Sequence, residues 1–197
     1  MRPVVSLRDE TLNHEEARLA EQRKYLETYQ SPRYRMKNER KADAAKAVRD
    51  LPTTRGGFLD VGCGRGEMLV IADTIGFDRV AGVEIVPDLI GGRVVRGEVH
   101  ALPFDDDEFD VVTMFDVIEH LLRGDDEAAC RELARVARSH VVLTANNHPS
   151  VHRGVDLHIN IRSYDQWDAL FRDWFSPGSV TRLGQTHYIS EAWRIDL

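Results

Sequence analysis

The stretch from Phe58 to Val70 constrains this chain more than any other. Phe58-Leu59-Asp60-Val61 reads as a short buried strand. Gly62, Gly64 and Gly66 follow at alternate positions, and Glu67 to Ile75 reads as a helix with Met68, Leu69, Ile71 and Ala72 free to pack inward. Strand, glycine turn and helix in that order make a ligand-binding unit. Glycines let the backbone turn tightly and let a ligand approach, because no Cβ stands in the way. The helix behind them points its first N–H groups at that ligand. A dinucleotide fingerprint, Gly-x-Gly-x-x-Gly, counted from Gly62 needs a glycine at position 67. It meets Glu67, whose carboxylate would face a pyrophosphate.

The string Asp60-Val61-Gly62-Cys63-Gly64-Arg65-Gly66 instead resembles motif I of the class I S-adenosylmethionine-dependent methyltransferases. The resemblance, of the type 11-like small-molecule and sugar methyltransferase kind, covers roughly residues 40–197. It implies that the turn lies beneath the methionine and ribose parts of the cofactor. The cofactor-binding set it implies is Asp60, Gly62, Cys63, Gly64, Gly66, Glu84, Ile85, Glu98, Val99, Phe115 and Asp116.

Glu84 also has a reading of its own. It ends a second strand, Arg79 to Ile85, at about the 20-residue spacing from the glycines that lets an acid accept both ribose hydroxyls. Glu98 stands where many family members carry aspartate to hold the adenine amino group, with Val99 against the ring. Phe115-Asp116-Val117-Ile118-Glu119-His120-Leu121, after a fourth strand at Phe109 to Met114, resembles the family segment that borders the methyl group.

The chain is 197 residues long, 42% hydrophobic and 30% charged, which fits an ordinary folded domain rather than a disordered one. No apolar run approaches the roughly 20 residues of a membrane span, and no secretory leader is visible at the N-terminus. Cys63 and Cys130 form neither a metal spacing nor a disulfide framework, so a cytoplasmic setting is expected. A net charge of −7 argues against strong binding to nucleic acid. That charge is uneven. Residues 1–50 hold twelve Lys/Arg against nine Asp/Glu, leaving −10 for the rest.

Residues 11 to 30 carry a helical pattern, with Asn13 and Glu16 as a capping box. Ser31-Pro32 reads as the start of a second helix running to about Arg49. Leu51-Pro52 to Gly57 is a turn, so the expected division is an N-terminal helical appendage or cap over 1–50 and a cofactor-binding domain over 51–197. Tyr25, Tyr29 and Tyr34-Arg35-Met36 are the places for a substrate or partner contact, and a homodimer through these helices is an open option.

A third strand is expected at Gly91 to Val95, a helix at Asp125 to Arg138, a fifth strand at His140 to Ala145 and a helix capped by Ser163. A last pair of strands follows at Ser179 to Leu183 and Ala192 to Ile195. Alternation of strands and helices implies an α/β, doubly wound, Rossmann-like parallel sheet with helices on both faces. The resemblance extends this to seven strands, mostly parallel, with the final strand reversed.

Ligands in such sheets bind beyond the carboxyl ends of the strands, where the acids and histidines of this sequence collect. The expected reaction is methyl transfer to a hydroxyl of a sugar or other small metabolite. Its base would be a histidine: His148 after the fifth strand, His158 in the following loop, or His120 after the fourth. Asp156 to Arg162, before a Trp-bearing helix, resembles methyltransferases acting on sugars. No metal is expected. The alternative is a metal-dependent RNA 3′-terminal 2′-O-methyltransferase, because Asp116-Val-Ile-Glu119-His120 with His148 and His158 is similar to the ion-holding pattern of that family. A second alternative is a cofactor-binding partner subunit without catalysis of its own.

Overall fold

The computed structural model describes residues 7–31, 38–185 and 190–197. Helices α1 (Leu7–Thr28) and α2 (Asn38–Arg49) precede strand β1 (Gly57–Val61), helix α3 (Glu67–Ile75) and strands β2 (Arg79–Glu84), β3 (Val94–Arg96) and β4 (Phe109–Met114). Helix α4 (Asp125–Val136) and strand β5 (Ala137–Ala145) follow. A small ladder of β6 (Val151–His152) and β7 (Val155–Asp156) leads to α5 (Tyr164–Trp174), β8 (Ser179–Gln185) and β9 (Glu191–Asp196). The main sheet has seven strands in the order β3-β2-β1-β4-β5-β9-β8. Its neighbours are parallel from β3 to β5, and β9 runs antiparallel to both β5 and β8. The doubly wound, mostly parallel fold expected from the sequence is the one observed.

Burial on both faces explains why the central strands are near-continuous apolar runs. Phe58, Val111 and Val142 face α2 and α3, and pack with Val48, Met68, Leu69 and Phe77. Leu59, Val61, Val112, Val141 and Leu143 alternate with them toward α4 and α5, among Leu133, Trp167, Phe171 and Trp193. Ser163 caps α5 as expected, and Gln166 returns a hydrogen bond to complete a capping box.

Three local readings are corrected. Asn13 lies inside α1 rather than at its cap, because the helix already begins at Leu7. The third strand is Val94–Arg96, since Gly91 and Gly92 take positive φ and form the turn before it. Helix α4 stops at Val136 because Ala137 already pairs with Phe109 across the sheet. Of the second helix's expected start, Pro32 to Met36, with Tyr34, Arg35 and Met36, lies outside the described residues.

Candidate active site

The carboxyl ends of β1, β2, β4 and β5 open on a cavity of about 550 Å³, within the roughly 300–1,000 Å³ range of small-molecule sites. Its floor is the glycine turn. Gly62, Gly64 and Gly66 have φ of 71°, 53° and 76°, a left-handed region costly for any side chain but glycine's. The cradle is also sterically closed to side chains. A Cβ at Gly62 would lie 2.6 Å from Val117 Cγ2, and one at Gly64 2.6 Å from the Tyr29 hydroxyl. Gly66 forms the N-cap of α3, so the helix N-terminus is turned to the floor.

Glu84 does more than its spacing predicted. Its Oε2 accepts the Gly64 N–H at 2.8 Å, and its Oε1 accepts the Ile85 and Val86 N–H groups at 2.8 and 3.1 Å. One buried carboxylate thus ties the tip of β2 to the glycine turn. Asp60 lies nearby, 4% exposed, and accepts the Thr113 hydroxyl at 2.7 Å. Burial pushes its carboxyl up to about 7; the Thr113 bond opposes this, and Glu84 adds to it. Burial also raises the Cys63 thiol far above its usual range, so Cys63 is an inert packing group. Ile85, Glu98, Val99 and Phe115 line the same cavity, and His100 Nε2 stands 3.2 Å from Glu98.

Asp116 is held firmly at the tip of β4. It is a non-glycine residue at φ 53°. Its Oδ1 accepts the Ser190 and Thr144 hydroxyls at 2.7 and 3.0 Å, and its N–H donates to Thr144 at 2.8 Å. Two residues from elsewhere in the chain meet here: Thr144 comes through the pairing of β5 with β4, and Ser190, just before the reversed strand β9, has no signal in the sequence that would place it at Asp116.

The far wall of the cavity is built by a loop folded back on the segment after β4. Ile159 and Asn160 each donate a backbone N–H to the Glu119 carbonyl at 3.0 Å. His120 Nδ1 meets the Leu157 carbonyl at 2.9 Å. Desolvation lowers the His120 imidazole to about 4, with the Leu157 bond opposing, so the ring is neutral at ordinary pH. His158 Nδ1 meets the His148 carbonyl, and its Nε2 lies 4.0 Å from Glu119 Oε1. The His148 N–H donates to Asn146 Oδ1 at 2.9 Å at the end of β5, and its ring is exposed at the cavity wall.

Asp126 holds this loop in place. It is 1% exposed and accepts Asn160 Nδ2 at 2.8 Å, the Arg162 guanidinium, and the N–H groups of Gly124 and Glu127. Asp126→Ala leaves Arg162 and Asn160 without that partner. It is expected to lower unfolding stability by about 3–5 kcal/mol, read by denaturant unfolding; a loss within experimental error would contradict this role.

Helix α1 forms the roof. Arg18, Glu21, Gln22, Tyr25 and Tyr29 line the cavity. Arg18 Nε and His14 bind Asp125 at 2.7 and 2.9 Å, the Tyr25 ring packs edge-on at 5.3 Å from His120, and Arg65 donates to the Tyr29 carbonyl at 2.8 Å. The helical pattern was legible in the sequence. Its position was not, because these contacts span about a hundred residues of chain.

Residues 59–144 match the family model described as a methyltransferase domain. A demethylmenaquinone methyltransferase of Roseiflexus castenholzii is 36% identical over 98 residues, covering 44% of this chain and 40% of that protein. A protein of Encephalitozoon cuniculi named as a methyltransferase is 39% identical over 82 residues, 41% of this chain and 39% of its own. The match thus spans about two fifths of the length of these curated relatives. In fold, the chain is similar to an amino pentose methyltransferase from Micromonospora echinaspora solved with S-adenosylmethionine bound. That likeness has a TM-score of 0.64 at 16% identity, over 83% of this chain and 92% of that one.

Proposed function

We propose that this chain is a class I S-adenosylmethionine-dependent methyltransferase and that it methylates a hydroxyl of a sugar or another small metabolite. One observation carries this reading: the glycine cradle and the histidines at the ends of β4 and β5 line one continuous cavity. Donor and acceptor can therefore meet inside it. The similarity to an amino pentose methyltransferase supports a sugar-like acceptor, as do the Tyr, Asn and His side chains of the wall. Residues 51–197 serve as the catalytic domain and residues 1–50 as its cap. Among the described residues no helix is long and apolar enough to cross a membrane.

The residues present fit S-adenosylmethionine. The cradle has no room for a Cβ at Gly62 or Gly64, and buried Asp60 and Glu84 suit a ligand carrying positive charge. When bound, this cofactor would supply an electrophilic methyl group for an acceptor oxygen, with its sulfur as the leaving group. Glu84 and the glycine turn orient the ribose and methionine parts, and Glu98 with Val99 holds the adenine. Roof residues Tyr25 and Tyr29 exclude water and press the acceptor toward near-attack distance. His148 takes the hydroxyl proton on its imidazole and returns it to solvent. His120 is poorly suited to that step, being neutral down to about pH 4.

Asp60 provides a test through pH. The neutral acid is favoured in the buried free site below about pH 7, whereas a cationic ligand favours the carboxylate. Binding therefore selects the ionised form and releases a proton. Affinity for S-adenosylmethionine is expected to be full above about pH 7 and to fall up to about tenfold per unit below it. Calorimetry across that range, in buffers of different ionisation enthalpy, reads both effects. An affinity that stays level or rises as the pH falls would contradict the Asp60 role.

A further inference from the structure

We propose that Glu119, His120 and His158 bind one divalent transition-metal cation on the acceptor side of the cavity. The site is argued from its own geometry, and rests on the methyl-transfer reading only for what the cation does there. The three side chains each offer one ligand atom, and these atoms lie within 4.8 Å of one another. Ligands about 2.1 Å from a common ion are about 3.0–3.4 Å apart in tetrahedral or cis-octahedral positions, so side-chain shifts of about 1.5 Å, shared between the three residues, close the set.

The tautomers point the same way. His120 Nδ1 and His158 Nδ1 each face a backbone carbonyl, of Leu157 and of His148. A carbonyl only accepts, so each Nδ1 carries the hydrogen and each Nε2 keeps its lone pair. Such backing by a carbonyl is how metal-ligating histidines are oriented. His158 Nε2 is turned toward the Glu119 carboxylate, 4.0 Å away, and the two rings meet edge-on at 4.8 Å. Glu119 is 0% exposed, and its carboxylate offers a ligand atom to the set from inside the protein.

The cluster is also built on fixed backbone. Ile159 and Asn160 bond the Glu119 carbonyl, and Asp126 anchors the loop through Asn160 and Arg162. Two neutral imidazoles and one carboxylate suit manganese, iron, cobalt or zinc rather than calcium or magnesium. All three residues line the cavity, so the remaining coordination positions face it. A hydroxyl bound there becomes more acidic and gives up its proton more readily to His148. Asp116 is not part of the set, because its carboxylate is engaged by Ser190 and Thr144. The proposal departs from the metal-free site expected from the sequence.

The test uses untagged full-length protein, stripped with chelator and titrated with Co²⁺ alone. The readouts are visible d–d absorption and calorimetric stoichiometry. One Co²⁺ per chain is expected, with affinity lowered at least about tenfold by His158→Ala and by Glu119→Gln and unchanged by His152→Ala. S-adenosylhomocysteine binding, measured on each variant, reports an intact fold; should Glu119→Gln not fold, His158→Ala decides. No saturable Co²⁺ binding by the wild type, or binding that survives both substitutions, overturns the site. Wild-type protein that binds S-adenosylhomocysteine but not Co²⁺ overturns the cation site alone. Wild-type protein that binds Co²⁺ but not S-adenosylhomocysteine supports the cation site and contradicts the methyl-transfer reading.

Discussion

His148→Ala is expected to lower methyl-transfer turnover by about 10²–10⁴, the range for losing a general base, while cofactor affinity stays within a factor of a few. His148 is the histidine of the acceptor wall whose ring is exposed there. Its backbone is fixed by the Asn146 bond at 2.9 Å, and Pro149 stiffens the next step of the chain. His120 and His158 have their Nδ1 atoms on carbonyls and their Nε2 atoms turned to the proposed cation site. The measurement is single-turnover transfer at saturating cofactor, on an acceptor drawn from a panel of sugars and small alcohols. The same variant is expected to bind Co²⁺ as the wild type does, which separates proton removal from cation binding. Full turnover by His148→Ala would refute the base assignment.

Gly64→Val is expected to weaken cofactor binding at least about a hundredfold. Backbone strain contributes about 1–3 kcal/mol, since valine at φ 53° is a β-branched residue in the left-handed region. The new side chain also meets the Tyr29 hydroxyl, 2.6 Å from where its Cβ must lie. Either the roof helix lifts, or the turn distorts and loses the Gly64–Glu84 bond of 2.8 Å. Gly64→Ala is expected to fall between the two proteins, because it shares the strain without the branch. Calorimetric titration with S-adenosylhomocysteine reads the effect, and thermal unfolding checks the fold. Binding by the valine variant within tenfold of wild type would contradict the cradle as the cofactor floor.

Local chemistry makes much of this legible in the sequence alone. The glycine turn, the apolar runs of β1, β4 and β5, and the cap at Ser163 are signalled by residues adjacent in sequence, and the structure has each of them. What escaped depends on long-range return of the chain. The bond from the Gly64 N–H to Glu84 needs the register of β1 against β2, whereas the Ile85 and Val86 bonds to the same carboxylate are local. The anchoring of Asp116 needed β9 to run back beside β5, delivering Ser190. The pairing of residues 157–160 with Glu119 and His120 has no periodic signature, because single hydrogen bonds between loops carry it. Asp126 reads in sequence as one more acid at the start of a helix, yet it anchors the loop at Asn160 and Arg162.

Calorimetry on the wild-type chain shows whether the glycine turn and the β2 tip hold S-adenosylmethionine. One equivalent of S-adenosylmethionine or S-adenosylhomocysteine binding per chain, with no heat from a nicotinamide dinucleotide, is the predicted result. Binding of the dinucleotide, with neither form of the methyl cofactor bound, would contradict it.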